Sequence, residues 1–247
     1  MSMMVNPFIH RRGGPAWAGP GLVGRKAYTY TTSPAAVDLT GLAGGGDTSA
    51  YEGDTVVLIM GHQKNGATPD VPALSSNPGF TQMFAPLLTT DGYRNYLWPS
   101  YMVVGSGALP TFTPTATADV NTWGSLVVAV FRGFQIDTGP GFPAASRLNR
   151  SYPDPPPAIT PTIAGSWVIV GASGSNSTGG SGMSGYGGLA DTFQSYYDRD
   201  GGTANGIATG FGLKEDWVSG TFSPSSWAGG FDANSCAGSF SAVLKPV

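Results

Sequence analysis

Asp54-Thr-Val-Val-Leu-Ile-Met-Gly-His62 is the stretch whose reading decides the fold. It is too short for a helix of ordinary length, it is rich in β-branched residues, and Gly53-Asp54 bounds it as a turn, so it reads as a strand. A strand with one solvated face alternates apolar and polar residues. Val56 to Met60 does not alternate, so this strand is expected to be covered on both sides, by an opposite sheet and by loops or another subunit. The second possibility is a first sign of oligomerisation. Leu126 to Phe131 has the same character.

Three further stretches share the pattern: Ser125-Leu-Val-Val-Ala-Val-Phe-Arg132, Ser166-Trp-Val-Ile-Val-Gly-Ala172 and Ser239-Phe-Ser-Ala-Val-Leu-Lys245. Each follows a glycine (Gly124, Gly165, Gly238), which reads as a Gly-Ser turn feeding an apolar run. The starts of the four runs are separated by 71, 41 and 73 residues, too unequal for a solenoid or propeller of fixed period. Weaker strand patterns fill the intervals at 26–31, 80–84, 96–104, 111–117, 192–197 and 207–213. About ten strands in two facing antiparallel sheets follow.

Composition agrees. Among 247 residues there are four Lys, four Gln and two Glu (Glu52 and Glu215), which leaves little to build exposed helix faces. Gly (38) and Pro (20) supply turns, and 28 spaced aromatic residues argue against disorder. The expectation is an all-β, antiparallel two-sheet sandwich, jelly-roll-like, with long Gly/Pro-rich loops and an extended N-terminal arm. The arm is assigned to residues 1–25 and the sandwich to 26–247, with a Pro-rich loop over 134–162. Residues 173–189, with seven Gly, read as another long loop.

Residues 1–37 carry Arg11, Arg12, Arg25 and Lys26 and no acid, so the rest holds 8 basic and 15 acidic residues, a net −7 against −3 for the chain. A basic arm on an acidic body suits contacts with a neighbouring acidic subunit, although a solvated tail has the same composition. No basic and aromatic interleaving extends the patch, so specific nucleic-acid binding is not expected. The absence of an 18-residue apolar run argues against membrane insertion, and Met1 to Ile9 lacks the apolar core of a signal peptide. Cys236, the one cysteine, reads as a buried thiol.

The search for chemistry returns little. A catalytic triad would have to rest on His62, since the other histidine, His10, lies in the arm. Gly182-Met-Ser184-Gly-Tyr186 lacks the last glycine and the helix of a nucleophile elbow. No phosphate-binding glycine motif occurs, and one Cys with two His cannot complete a zinc shell. No enzymatic activity and no catalytic residue are expected. Asp198 and Asp200, at i and i+2 before Gly201-Gly202, resemble the start of a calcium loop, and equally an ordinary turn. Asp191, Asp198, Asp200, Glu215 and Asp216 are carboxylates without a geometry. Tyr96 and Trp98, with Tyr196 and Tyr197, have the makings of a glycan-binding face, and equally of a core or an interface.

The succession of Gly53-Asp-Thr-Val-Val, Trp123-Gly-Ser-Leu-Val-Val-Ala-Val-Phe-Arg-Gly133, Gly165-Ser-Trp-Val-Ile-Val-Gly and Ala242-Val-Leu-Lys-Pro246 resembles structural proteins of tailed bacteriophages. The resemblance is to the jelly-roll domains of head-spike bases, head fibres and tail-fibre-associated proteins, and covers most of residues 50–247. It implies a structural part of a virion, assembled in the host cytoplasm, whose partners are copies of itself and other virion proteins. The contacts would fall to Arg11, Arg12, Arg25 and Lys26 and to the Pro-rich loop. The alternative is a carbohydrate- or receptor-binding module contacting a host-surface glycan.

Overall fold

The computed structural model describes residues 19–31, 34–64, 73–88, 94–115, 122–139, 144–145, 155–176, 191–198, 206–225 and 237–247. For residues 64, 94, 122, 144–145, 175–176, 191–198 and 237 it describes the backbone alone. Among these residues there is no helix, and the chain is all-β.

Four long strands form the first sheet: β1 (Gly21–Tyr30), β2 (Thr55–Lys64), β6 (Arg94–Val103) and β8 (Thr122–Arg132). The short β4 (Thr81–Gln82) and β5 (Leu87–Leu88) both pair with β6, giving the order β1-β8-β2-β6-β4. The second sheet contains β11 (Ser166–Asn176), β12 (Asp191–Asp198), β13 (Gly206–Trp217) and β14 (Ala237–Pro246). Here β9 (Phe134–Ile136) and β10 (Ala144–Ala145) pair with β14, and the order is β10-β14-β11-β13-β12. A two-stranded ribbon of β3 (Leu74–Ser76) and β7 (Thr113–Pro114) completes the set. Every pairing is antiparallel.

The two-sheet sandwich is as expected, but its connectivity is not that of a jelly roll, whose successive strands pass between the sheets. Here the chain finishes the first sheet at Arg132 and begins the second at Phe134. Gly133, with φ of 71°, makes the passage in one residue that a side chain would strain. Two of the supposed Gly-Ser turns are also corrected. Gly53 and Gly165 do precede their strands with positive φ. Gly124 and Gly238 lie inside β8 and β14, where they admit the Tyr30 ring and the Leu87 and Leu97 side chains respectively.

The alternation of each strand divides the apolar residues between three layers. Between the sheets lie Val57, Ile59, Leu97, Val127 and Phe131 against Trp167, Ile169, Phe211, Leu213, Phe240 and Leu244. Trp167 sits 4.5 Å from Phe134 and 6.4 Å from Phe131, centroid to centroid. The other face of the first sheet (Val56, Leu58, Met60, Leu126, Val128, Val130) is covered by Val37, Leu39, Leu42, Phe80 and Phe112 from the chain's own connections. The other face of the second sheet carries a smaller cluster closed by Ile159 and Phe222, which bridge backbone to backbone. The unbroken run at 56–60 is thus covered by intrachain segments, and its apolar character needs no second subunit.

Three boundaries differ from expectation. β1 begins at Gly21, so Arg25 belongs to the sheet and not to an arm. The Pro-rich region 134–162 contributes β9 and β10, because Phe134 to Ile136 and Ala144-Ala145 lie outside its proline clusters and are free to pair with β14. Ser173 to Asn176 continue β11 instead of opening a loop; their pairing with residues 206–209 of β13 outweighs the poor strand propensity of Gly and Ser.

Candidate functional site

The sandwich has two unlike ends. At one, β1, β2, β11 and β12 finish and β6, β8, β13 and β14 begin, as the registers Lys64↔Arg94, Lys64↔Thr122, Asn176↔Gly206, Asp198↔Gly206 and Gly174↔Ala237 require. Residues 65–72 follow β2 at this end, and residues 199–205 join the end of β12 to the start of β13. This is the loop end. At the opposite end lie Arg132, Phe134, Trp167 and Val247.

Toward the loop end the inward-facing series changes from aliphatic to polar. On β2 it runs Val57, Ile59, Gly61, Gln63; on β8 it runs back through Val127, Ser125, Trp123; β11 and β13 contribute Ser173 and Thr209. Gln63, Asn95, Ser125, Ser173 and Thr209 are buried, as is Trp123. The Ser125 and Thr209 hydroxyls meet at 2.6 Å across the two sheets, and Thr209 Oγ1 also donates to the Ser125 carbonyl at 3.1 Å. Trp123 Nε1 donates to Gln63 Oε1 at 3.2 Å. Gln63 Nε2 and Ser173 Oγ have no hydrogen-bond partner among the described residues, and each such group costs about 1–3 kcal/mol if left so. Glycine at 61 is enforced by the Ser173 and Thr209 hydroxyls, which occupy the space of its Cβ.

On the other face of the first sheet, at the same end, Tyr30 lies under the segment that covers the sheet. Its hydroxyl is 3.3 Å from the Gly61 carbonyl and 3.2 Å from His62 Nδ1. One arrangement satisfies both contacts: His62 donates from Nδ1 to the phenol oxygen, and the phenol donates to Gly61. Burial pushes the Tyr30 pKa upward, so the phenol stays neutral. His62 Nδ1 is therefore held by a phenol.

The remaining sequence candidates are dispersed. Tyr96 and Trp98 are 7% and 3% exposed, buried beneath the connections that cover the first sheet, so they cannot form a glycan platform. The reading failed because aromatics beside Asn95 suit a core as well as a sugar face. Tyr196 and Tyr197 lie in β12 opposite Ala208 and Ile207, and Asp198 closes that strand opposite Gly206; their side chains, and the whole of Asp200, lie outside the described residues. So do Arg11, Arg12 and Cys236. Among the described residues no three His, Cys, Asp or Glu side chains gather in a metal-binding group.

Arg25 and Lys26 are occupied within the chain. Arg25 exchanges backbone hydrogen bonds with Ala43 and donates from Nη1 to the Gly44 carbonyl at 3.0 Å. Lys26 Nζ binds Asp38 Oδ1 at 2.9 Å and the Thr40 carbonyl at 2.7 Å. The bond from Lys26, with those from the Thr40 amide and hydroxyl, brings the Asp38 carboxyl down to about 2. These contacts hold residues 38–47 along the outer edge of β1. At the far end Arg132 grips Asp54 through Nε at 3.0 Å and Nη2 at 2.9 Å, under the Tyr51 ring, with Asp47 at 3.5 Å.

Sequence reasoning missed the polar interior. Its signal was present in the inward alternation, Val57-x-Ile59-x-Gly61-x-Gln63, which ends polar although the strand continues. No family model, curated protein or solved structure matches the chain.

Proposed function

We propose that this chain is a non-enzymatic structural component of a virus particle, a base, decoration or adaptor protein that acts by docking and by association with its own copies. The observation that carries this reading is the division of labour in the sandwich. The faces of both sheets are closed by intrachain segments. β1 is bordered by residues 38–47, β6 by β4 and β5, and β14 by β9 and β10. A scaffold whose sheet faces are closed from within the chain leaves its connections for contacts, which suits a docking module. The resemblance of the strand sequences to phage head-spike and fibre-associated domains suggests the kind of particle, although the jelly-roll connectivity it implied is not found. The burial of Tyr96 and Trp98 counts against the glycan-binding alternative in the form that used them.

Immunogold labelling of particles purified from the lysate in which the chain is made tests the assignment. Label at one fixed position on the virion is the expected result, and label confined to the soluble fraction would refute it. Native mass spectrometry tests self-association separately, with one closed oligomer expected.

A further inference from the structure

The layer over the outer face of the first sheet has two unlike halves. One is built from residues 34–50 and carries Asp38 and Asp47; the other is built from residues 73–80 and 104–115, which give Leu74, Phe80, Leu109 and Phe112 to the cluster beneath. The second half is continuous with the edge of β6. Phe80 meets Phe112 edge-on at 5.0 Å, β3 pairs with β7, and the chain passes from Phe80 directly into β4, where Thr81 and Gln82 face Tyr101 and Ser100. Val103, 55% exposed, ends β6 two residues beyond Tyr101 and borders the same surface.

Residues 73–88 and 95–115 hold no Lys, Arg, Asp, Glu or His, in a chain of which 11% is charged. Among them 15 are exposed and 10 half-buried, which is the size of one side of a stable protein interface, about 20–30 residues. We propose that this uncharged surface is where two copies of the chain meet, an inference that rests on the self-association in the function proposed above. With a net charge of −3, copies repel one another, and they approach best where neither presents a carboxylate. Exposed Thr81, Gln82 and Ser106 each both donate and accept hydrogen bonds, so a two-fold axis can pair the surface with itself without a partner of opposite charge. A nucleic acid or an acidic protein would need cations here, and a sugar would need an exposed ring. The surface offers neither, since Phe80 and Phe112 are buried and Phe84 and Tyr101 half-buried.

Sedimentation velocity of the full chain over a dilution series tests the assignment. The parent should show a reversible dimer or a larger closed oligomer. Thr81→Glu/Ser106→Glu, which changes two exposed side chains and sets like charges against each other across the interface, should raise the dissociation constant at least tenfold with an unaltered circular dichroism spectrum. Ala35→Glu/Thr48→Glu adds the same charge at exposed positions on the other half of the layer and should leave association unchanged. An oligomer that Thr81→Glu/Ser106→Glu leaves intact, or that both variants weaken equally, overturns the assignment of the surface while self-association and the particle role stand. A parent that sediments as a monomer at every concentration overturns the self-association as well.

Discussion

Replacing Gly61 by alanine tests the account of the sandwich interior. The new methyl would overlap Ser173 Oγ, would stand 2.5 Å from Thr209 Oγ1, and would lie 3.1 Å from Ile207 Cδ1. Thr209 cannot swing away without giving up its 2.6 Å bond to Ser125. Overpacking of this kind costs about 1–3 kcal/mol, and loss of the cross-sheet hydrogen bond adds about 1 kcal/mol. Gly61→Ala should therefore destabilise by about 2–4 kcal/mol, read as a fall in the urea midpoint at unchanged slope. Ser173→Ala removes the atom in closest conflict, a buried hydroxyl without a described partner, and should by itself be neutral or stabilising. Combined with Gly61→Ala it should recover about 1 kcal/mol or more, a coupling that distant sites do not show. A Gly61→Ala protein within about 0.5 kcal/mol of the parent, the range of ordinary surface changes, would refute the close approach of the sheets at this end.

Asp54→Ala should cost about 1–3 kcal/mol in chemical denaturation, because it removes two charge-assisted hydrogen bonds from Arg132 while Asp47 and the Tyr51 ring remain beside it. Asp38 has a folded pKa below its ordinary value of 3.8, so its contribution is present above that value and is lost as pH falls toward about 2. The difference in urea midpoint between the parent and Asp38→Asn should accordingly be constant above neutral pH and vanish between pH 4 and about 2. Trp98→Ala should lower stability by about 3–5 kcal/mol, as core aromatic truncations do, and leave any binding on a glycan array unchanged once the variant is folded.

The long strands were legible because their signal is local: Val56 to Met60 or Leu126 to Phe131 can be little else in a chain with two Glu and four Lys. The two-residue β4 and β5 carry no pattern, and exist because the edge of β6 offers them partners. Strand order was not legible, since it is decided by long-range pairing such as Tyr28↔Leu126 and Trp167↔Leu244. Gly124 looked like a turn because sequence does not show that Tyr30, 94 positions earlier, stacks on it. Two of the four aromatic candidates failed for the same reason. Tyr96 and Trp98 are polar-tipped side chains whose burial depends on segments far away in sequence, whereas the polar end of the β2 alternation was readable and carried the site.

The passage between sheets at Gly133 also bears on how the polypeptide emerges from the ribosome. Everything needed for the first sheet, and for the layer outside it, is present once residue 132 has been made, so that half can form early with its outer side already sealed. Its inner side, with Val57, Ile59, Val127 and Phe131, has to wait for β11, β13 and β14. At synthesis rates of about 5–20 residues per second, the remaining 115 residues take roughly 6–23 s to appear. For that interval the nascent chain displays one sticky surface and one finished one, which makes Phe131 and its neighbours the natural place for a chaperone to hold it.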